Sequence, residues 1–245
     1  AESIPRRRAH QVEQVSRAMV TAERLAGLGS IAATVAHEIR NPLSALDIHA
    51  QLLEESLPPG PEGDAARSRL AIIRSETHRL NSIVENFTRF ARQTELHARP
   101  TQMALHLQHV IRLISSEANE RGISIDHSGL RTDLPPVMAD PNQLEQAFLN
   151  IVLNAIQAMP EGGRLTLSSH LTGSYVECVI ANTGPEIPAE IRERIFDLYF
   201  TTKEDGSGLG LPIAQKILTQ HGGYSTVKSD PRETAFCLGI PAART

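Results

Sequence analysis

The chain has 245 residues, 21% of them charged and 40% hydrophobic, with a formal net charge of −4 and two cysteines. That composition is a globular one, with length for two modest domains and a core in each. The slightly negative charge indicates no nucleic-acid partner, and Cys178 and Cys237 lie far apart in strand-like runs, so they read as reduced core thiols of a cytosolic protein.

Arg6-Arg7-Arg8 reads either as a solvated helix start or as the cytoplasmic flank of an upstream membrane span. The chain does not begin with Met, so it is expected to be a fragment, with membrane attachment only through a missing upstream segment. No apolar run approaches the ~20 residues that cross a bilayer, and no signal-peptide pattern occurs. Residues 1–20 are expected to be a helical linker.

A long helix is predicted over about 8–57. Apolar or small residues recur at Leu25, Leu28, Ala32, Val35 and Ile39, then at Leu43, Leu46, Ala50, Leu53 and Leu57. The steps are three and four, as in a bundle seam. Two consecutive steps of four, from Val35 to Ile39 to Leu43, read as a stutter that changes the supercoil phase. Pro42 lies there too and is expected to bend the helix, because it has no N–H for the carbonyl of Glu38. In this register His37 takes an f position and faces water. A neutral imidazole is a good phosphoryl acceptor, and the neighbouring Glu38 can fix its tautomer or take its proton.

Pro58-Pro59-Gly60-Pro61-Glu62-Gly63-Asp64 is a helix-breaking turn. A second helix is predicted to about Leu96, with the seam Leu70, Ile73, Thr77, Leu80, Val84, Phe87, Ala91 and Thr94. Two helices joined by a short turn form an antiparallel hairpin over 21–97, and pairing with a second copy into a dimeric four-helix bundle buries the seam. His97-Ala98-Arg99-Pro100 reads as a linker.

A mixed α+β domain is expected over 101–245. It comprises a helix at about 104–121, a strand at 123–125, a helix from Asp140-Pro141 to about Met159, strands at 164–171 and 175–181, a helix at about 208–221 and strands at 224–229 and 235–240. On the helix after Asp140, Gln143, Gln146, Asn150, Asn154 and Gln157 form an amide stripe. Buried amides need polar partners, and phosphate-bound Mg²⁺ suits their oxygens. Asn154 is the candidate Mg²⁺ ligand, with Asn150 beside it. Gly206-Ser207-Gly208-Leu209-Gly210-Leu211 opens the later helix, where glycines and free helix-start amides suit phosphate. Lys203 and Thr201-Thr202 offer a cation and hydroxyls to the same phosphates, and 201–207 reads as a mobile lid. The strand order does not fit a Rossmann unit.

Together these features resemble the sensor histidine kinases of two-component systems. His37-Glu38-Ile39-Arg40-Asn41-Pro42 resembles the H box, Asn150-Ile151-Val152-Leu153-Asn154-Ala155 the N box, and Asn182-Thr183-Gly184-Pro185-Glu186-Ile187-Pro188 the first glycine box. Ile195-Phe196-Asp197-Leu198-Tyr199-Phe200-Thr201-Thr202-Lys203 resembles the F box, and Gly206 to Leu211 the second glycine box. The Asn-Ala-Ile-Gln-Ala-Met-Pro and Phe-Thr-Thr-Lys spellings are similar to the nitrogen-sensing subgroup. The resemblance implies a phosphotransfer hairpin followed by a Bergerat-type (GHKL) α/β sandwich that binds ATP. It implies autophosphorylation of His37 from Mg²⁺-ATP, with Glu38 as base, and transfer to an aspartate of a response-regulator receiver domain. It places Asn150, Asn154, Asn182, Gly184, Lys203, Gly206, Gly208, Gly210 and Leu211 at the nucleotide. Asn41, one turn beyond His37, is implied to orient water for reverse phosphatase activity.

The chain departs from the family pattern at three places. Asn182 stands where the family has the Asp that accepts from the adenine amino group. Glu186 stands where it has a second glycine, and Leu198-Tyr199 replaces Pro-Phe. Weaker or altered base recognition is expected. Two rival readings are a conformational clamp ATPase of the same superfamily, which the His-bearing hairpin argues against, and a degenerate dimeric scaffold.

Overall fold

The computed structural model describes residues 29–91, 95–203 and 206–243. The predicted helix over 8–28 and the linker over 1–20 lie outside them. The chain forms two compact units, one comprising the hairpin and the segment Thr201–Leu209, the other comprising Glu95–Phe200 and Gly210–Thr245.

The hairpin consists of α1 (Gly29–Ser56) and α2 (Pro61–Ala91). Gly60, at φ 126°, makes the turn, and Asp64 N donates to Gly60 O (2.9 Å). Arg67 donates from Nη2 to Leu57 O (2.7 Å), so a cation meets the carbonyl end of α1. Among the described side chains, those buried along α1 are Ala36, Leu43 and Ala50, spaced by sevens; on α2 the buried residues are Gly63, Leu70 and Thr77. Ile39, Leu46 and Leu53 on α1, with Ile73 and Leu80 on α2, stay 40–54% exposed. One hairpin therefore covers only half of the predicted seam. Over the described residues the seam runs Ala36, Ile39, Leu43, Leu46, Ala50, Leu53 with steps of three and four. Val35, from which the expected stutter starts, lies outside the described side chains. Arg74 crosses between the helices to Asp47 (3.2 Å) and Glu54 (3.1 Å), and His78 lies 3.5 Å from Asp47. Leu96, expected at the end of α2, lies in coil.

In the other unit β1 (Arg99–Thr101) comes first, where the sequence reads as linker. It pairs antiparallel with β3 (Val137–Ala139), and Ala243 N closes onto Pro136 O (2.8 Å). A main sheet has the order β2-β4-β5-β7-β6, from β2 (Ile123–Gly129), β4 (Gly163–Thr172), β5 (Tyr175–Asn182), β6 (Tyr224–Ser229) and β7 (Thr234–Pro241). Only the β2–β4 pair is parallel. Three helices, α3 (Met103–Glu120), α4 (Pro141–Gln157) and α5 (Gly210–Gln220), complete the α/β sandwich. Leu144, Phe148, Ile151 and Val152 of α4 are fully buried. Each such side chain contributes about 1.5–3 kcal/mol on leaving water, which fixes α4 and hence its amide stripe against the core.

The two cysteines are free thiols, as expected. Burial and the neighbouring Glu177 carboxylate, to which its thiol donates at 3.4 Å, push Cys237 up to about 12. No helix among the described residues is long and apolar enough to cross a membrane.

Candidate active site

His37, Glu38 and Asn41 are all exposed on α1, away from the buried line that starts at Ala36. His37 and Asn41 are four residues apart and share a face. Helix α1 continues through Pro42. Pro42 supplies no N–H, so the carbonyl of Glu38 lacks its helical donor one turn after the imidazole.

The nucleotide-type residues lie on α4 and at the ends of β5 and α5. Asp140 caps α4: its Oδ1 accepts from Asn142 N (3.0 Å) and Gln143 N (3.3 Å), with Pro141 in the first turn. Its Oδ2 accepts from His97 N (3.3 Å). Asp140 N donates to His221 Nε2 (2.9 Å), and His221 Nδ1 lies 2.7 Å from Ile217 O. An acceptor at one ring nitrogen and a donor at the other make His221 a neutral Nδ1–H tautomer. This buried ring ties the start of α4 to the end of α5. Sequence reasoning missed it; the signal was the histidine in Gln220-His221-Gly222-Gly223, directly after the helix.

Along the amide stripe, Gln143 is buried, Gln146, Asn150 and Asn154 are half-buried, and Gln157 is exposed. Asn150 Nδ2 is buried without a hydrogen-bond partner, as is Gln143 Nε2. A buried amide donor left unmade costs about 1–3 kcal/mol, so Asn150 is suited to an anionic acceptor that arrives from outside. Gly210, the first residue of α5, sits beside it, and a Cβ there would lie 4.0 Å from Asn150 Cβ. The start of α5, where a helix leaves its first amides without intrahelical partners, and the orphaned Asn150 donor therefore share one corner, which fits a phosphate-bearing ligand. Leu211 follows in the same turn. Among the described residues no group of three or more His, Cys, Asp or Glu side chains is arranged to hold a metal ion.

Asn182 ends β5 and is 2% exposed. Its Oδ1 accepts from Gly184 N (3.0 Å) and its Nδ2 donates to Thr234 O (3.3 Å), the orientation that satisfies both ends of the amide. Gly184 packs on the end of α4, where a Cβ would meet Ala158 O at 2.7 Å. Thr234 Oγ1 pairs with Ser229 Oγ (2.6 Å), and Ser229 Oγ accepts from Ile187 N (2.8 Å). A buried polar chain thus anchors the first glycine box on the β6–β7 tip.

Thr201–Leu209, with Lys203, Gly206 and Gly208, lies outside the compact α/β unit. Thr201 Oγ1 accepts from Lys203 N (3.1 Å), and Gly206 N donates to Lys203 O (3.2 Å). A Cβ on Gly206 would collide with Thr201 Oγ1, so this turn needs glycine. Gly208 has φ 64°. Burial holds the Lys203 ammonium below the usual lysine range. Just before the segment, Arg194 stacks on the Phe200 ring (4.5 Å), and Tyr199, with φ 64°, is the one left-handed non-glycine residue among those described.

Residues 27–96 match the His Kinase A (phospho-acceptor) domain family, and residues 139–244 match the histidine kinase-, DNA gyrase B- and HSP90-like ATPase family. Sensor histidine kinase ZraS of Escherichia coli (strain K12) is 36% identical over 220 residues, covering 89% of this chain and 46% of ZraS. The chain spans about half the length of the curated relatives it matches. Full-length ShkA, solved with AMPPNP, superposes with TM-score 0.70 at 30% identity, over 88% of this chain and 46% of ShkA. Histidine kinase ThkA, solved with its response regulator protein TrrA, gives 0.67 at 29% identity, over 95% of this chain and 66% of that one. The isolated ThkA catalytic domain is 31% identical and 99% covered, with TM-score 0.56. With both domains matched in order and the exposed His37 on the first, the chain belongs to the sensor histidine kinases of two-component systems.

Proposed function

We propose that this chain is the catalytic core of such a kinase and phosphorylates its own His37 from Mg²⁺-ATP. A ring nitrogen of His37 forms the new bond to the γ-phosphorus, the bond from that phosphorus to the β,γ-bridging oxygen breaks, and ADP leaves. Glu38 takes the imidazole proton. Asn150, the Gly210–Leu211 amides, Gly206, Gly208 and Lys203 hold the phosphates, and Asn182 with Gly184 shapes the base site. Asn154, with Asn150 as second candidate, would hold Mg²⁺, which would neutralise charge on the transferring group when bound. Catalysis of this kind is mostly positioning and charge neutralisation. The phosphohistidine then supplies an aspartate of a receiver domain, and Asn41 orients water in the reverse, dephosphorylating reaction. The half-seam of Ile39, Leu46, Leu53, Ile73 and Leu80 takes a second copy of the hairpin. The hairpin is assigned to 21–97 and the ATP domain to about 101–245; the setting is cytoplasmic and the subgroup the nitrogen-sensing one.

The observation that carries this reading is the orphaned Asn150 amide beside the start of α5, in one chain with an outward-facing His37. The test is incubation with γ-labelled ATP. Acid-labile, base-stable label that disappears in His37→Ala supports the kinase. Free phosphate without protein label indicates the clamp ATPase, and neither product indicates the scaffold.

A further inference from the structure

The residue that replaces the family's second glycine, Glu186, is held by an arginine six positions on. Arg192 Nη2 lies 2.7 Å from Glu186 Oε1, and Arg192 Nε donates to Ile187 O (2.8 Å). One guanidinium thus grips both the carboxylate and the adjoining backbone. Arg192 also acts on Asp230, whose carboxyl is held low by the Arg232 and Glu233 amides and, further, by the charges of Arg232 and Arg192. The other arginine of the segment, Arg194, lies over Phe200. The acids shown to interact with Arg192 are Glu186 and Asp230; Glu190 and Glu193 are its neighbours in sequence.

Glu186 is two residues from Gly184, so their Cα atoms are at most about 7 Å apart. An unpaired carboxylate there would stand against a polyanionic nucleotide, and at that range screening by water is incomplete. We propose that Arg192 is a positioning residue for nucleotide binding: it neutralises Glu186 and keeps that carboxylate turned from the base site. This rests on the nucleotide reading above. The bond from Ile187 N to Ser229 Oγ and the pairing of Ser229 with Thr234 do not involve the Arg192 side chain, so the loop keeps this second anchor when the arginine is removed.

The experiment is calorimetric titration of Mg²⁺-ATP into the 245-residue chain and three variants, Arg192→Ala, Glu186→Gly and the double variant, at low and high salt. Arg192→Ala is expected to raise Kd about tenfold at low salt, a charge effect of ordinary size at this range. The penalty should shrink as salt rises, and the double variant should return to within about twofold of the parent. Melting temperatures of all four proteins are expected to agree closely, since the pair is partly exposed. Arg192→Ala binding like the parent overturns the inference. So does a double variant as weak as Arg192→Ala, which would give the arginine a purely structural role. A parent chain that binds no ATP refutes the nucleotide reading itself and the inference with it.

Discussion

Asn182→Asp restores the residue typical of the family, yet the surroundings of this side chain are built for an amide. Nδ2 donates to Thr234 O at 3.3 Å and Oδ1 accepts from Gly184 N at 3.0 Å, with 2% of the residue exposed. An ionised carboxylate keeps the second bond and loses the first, setting an oxygen against a backbone carbonyl. Losing a buried partner costs about 1–3 kcal/mol. A charge-assisted bond from Gly184 N returns about 1 kcal/mol of that. The net loss is about 1 kcal/mol for the charged form. A protonated acid can donate to Thr234 O again, so the folded state favours the proton. A loss of that size corresponds to a folded pKa raised above the ordinary ~3.9. The folded protein then holds more protons than the unfolded chain between those values, so stability falls as pH rises through the window and stays low above it. Urea denaturation of parent and variant at pH 4 and pH 8 measures this. The two should match within about 0.5 kcal/mol at pH 4 and differ by about 1–2 kcal/mol at pH 8. An Asn182→Asp variant as stable as the parent at pH 8 would refute the reasoning.

Asn41→Ala should leave His37 labelling by ATP nearly unchanged while slowing dephosphorylation of a phosphorylated receiver domain at least tenfold; parallel loss of both activities would contradict the role given to Asn41. Glu145 on α4 accepts from His106 Nδ1 (2.7 Å) and His109 Nδ1 (2.9 Å) on α3. Burial pushes its carboxyl up, but the hydrogen bonds from His109 and His106 together hold it below the usual range. Its contribution is therefore present above the unfolded value of ~4.5 and lost as pH falls through the lower folded value. Glu145→Gln should cost about 1 kcal/mol at pH 7, and the gap in melting temperature should close near pH 3; a gap independent of pH would rule this out. Leu46→Glu with Leu80→Glu puts charge on the exposed half-seam and should turn dimers into monomers in analytical ultracentrifugation, while circular dichroism of the α/β unit stays unchanged. A double variant still dimeric at micromolar concentration would show that the half-seam is not the interface.

Features set by local chemistry were readable before any coordinates. Asp140-Pro141 starts α4 because a capping carboxylate and a proline without N–H both suit a first turn. His37 faces water because the apolar stripe leaves it out. What was missed depended on long-range pairing. β1 and β3 have three residues each, too few for a period of two to register, and Pro100 argues against a strand until an edge partner is known. His221 and Arg192 work through groups 81 and six positions away, respectively, and neither separation has a sequence period. Asn182 and Glu186 read as flaws in a motif; their surroundings give each a partner, Thr234 O for one and Arg192 for the other.

The proposed acceptor of the terminal phosphate of ATP is the outward imidazole of His37. Peptide mass spectrometry at alkaline pH, after a single turnover with Mg²⁺-ATP, locates the phosphate directly. One phosphate per chain is expected on the peptide containing His37, and no phosphopeptide in His37→Ala. Phosphate on any other residue, or an unmodified His37 peptide alongside ADP formation, would contradict it.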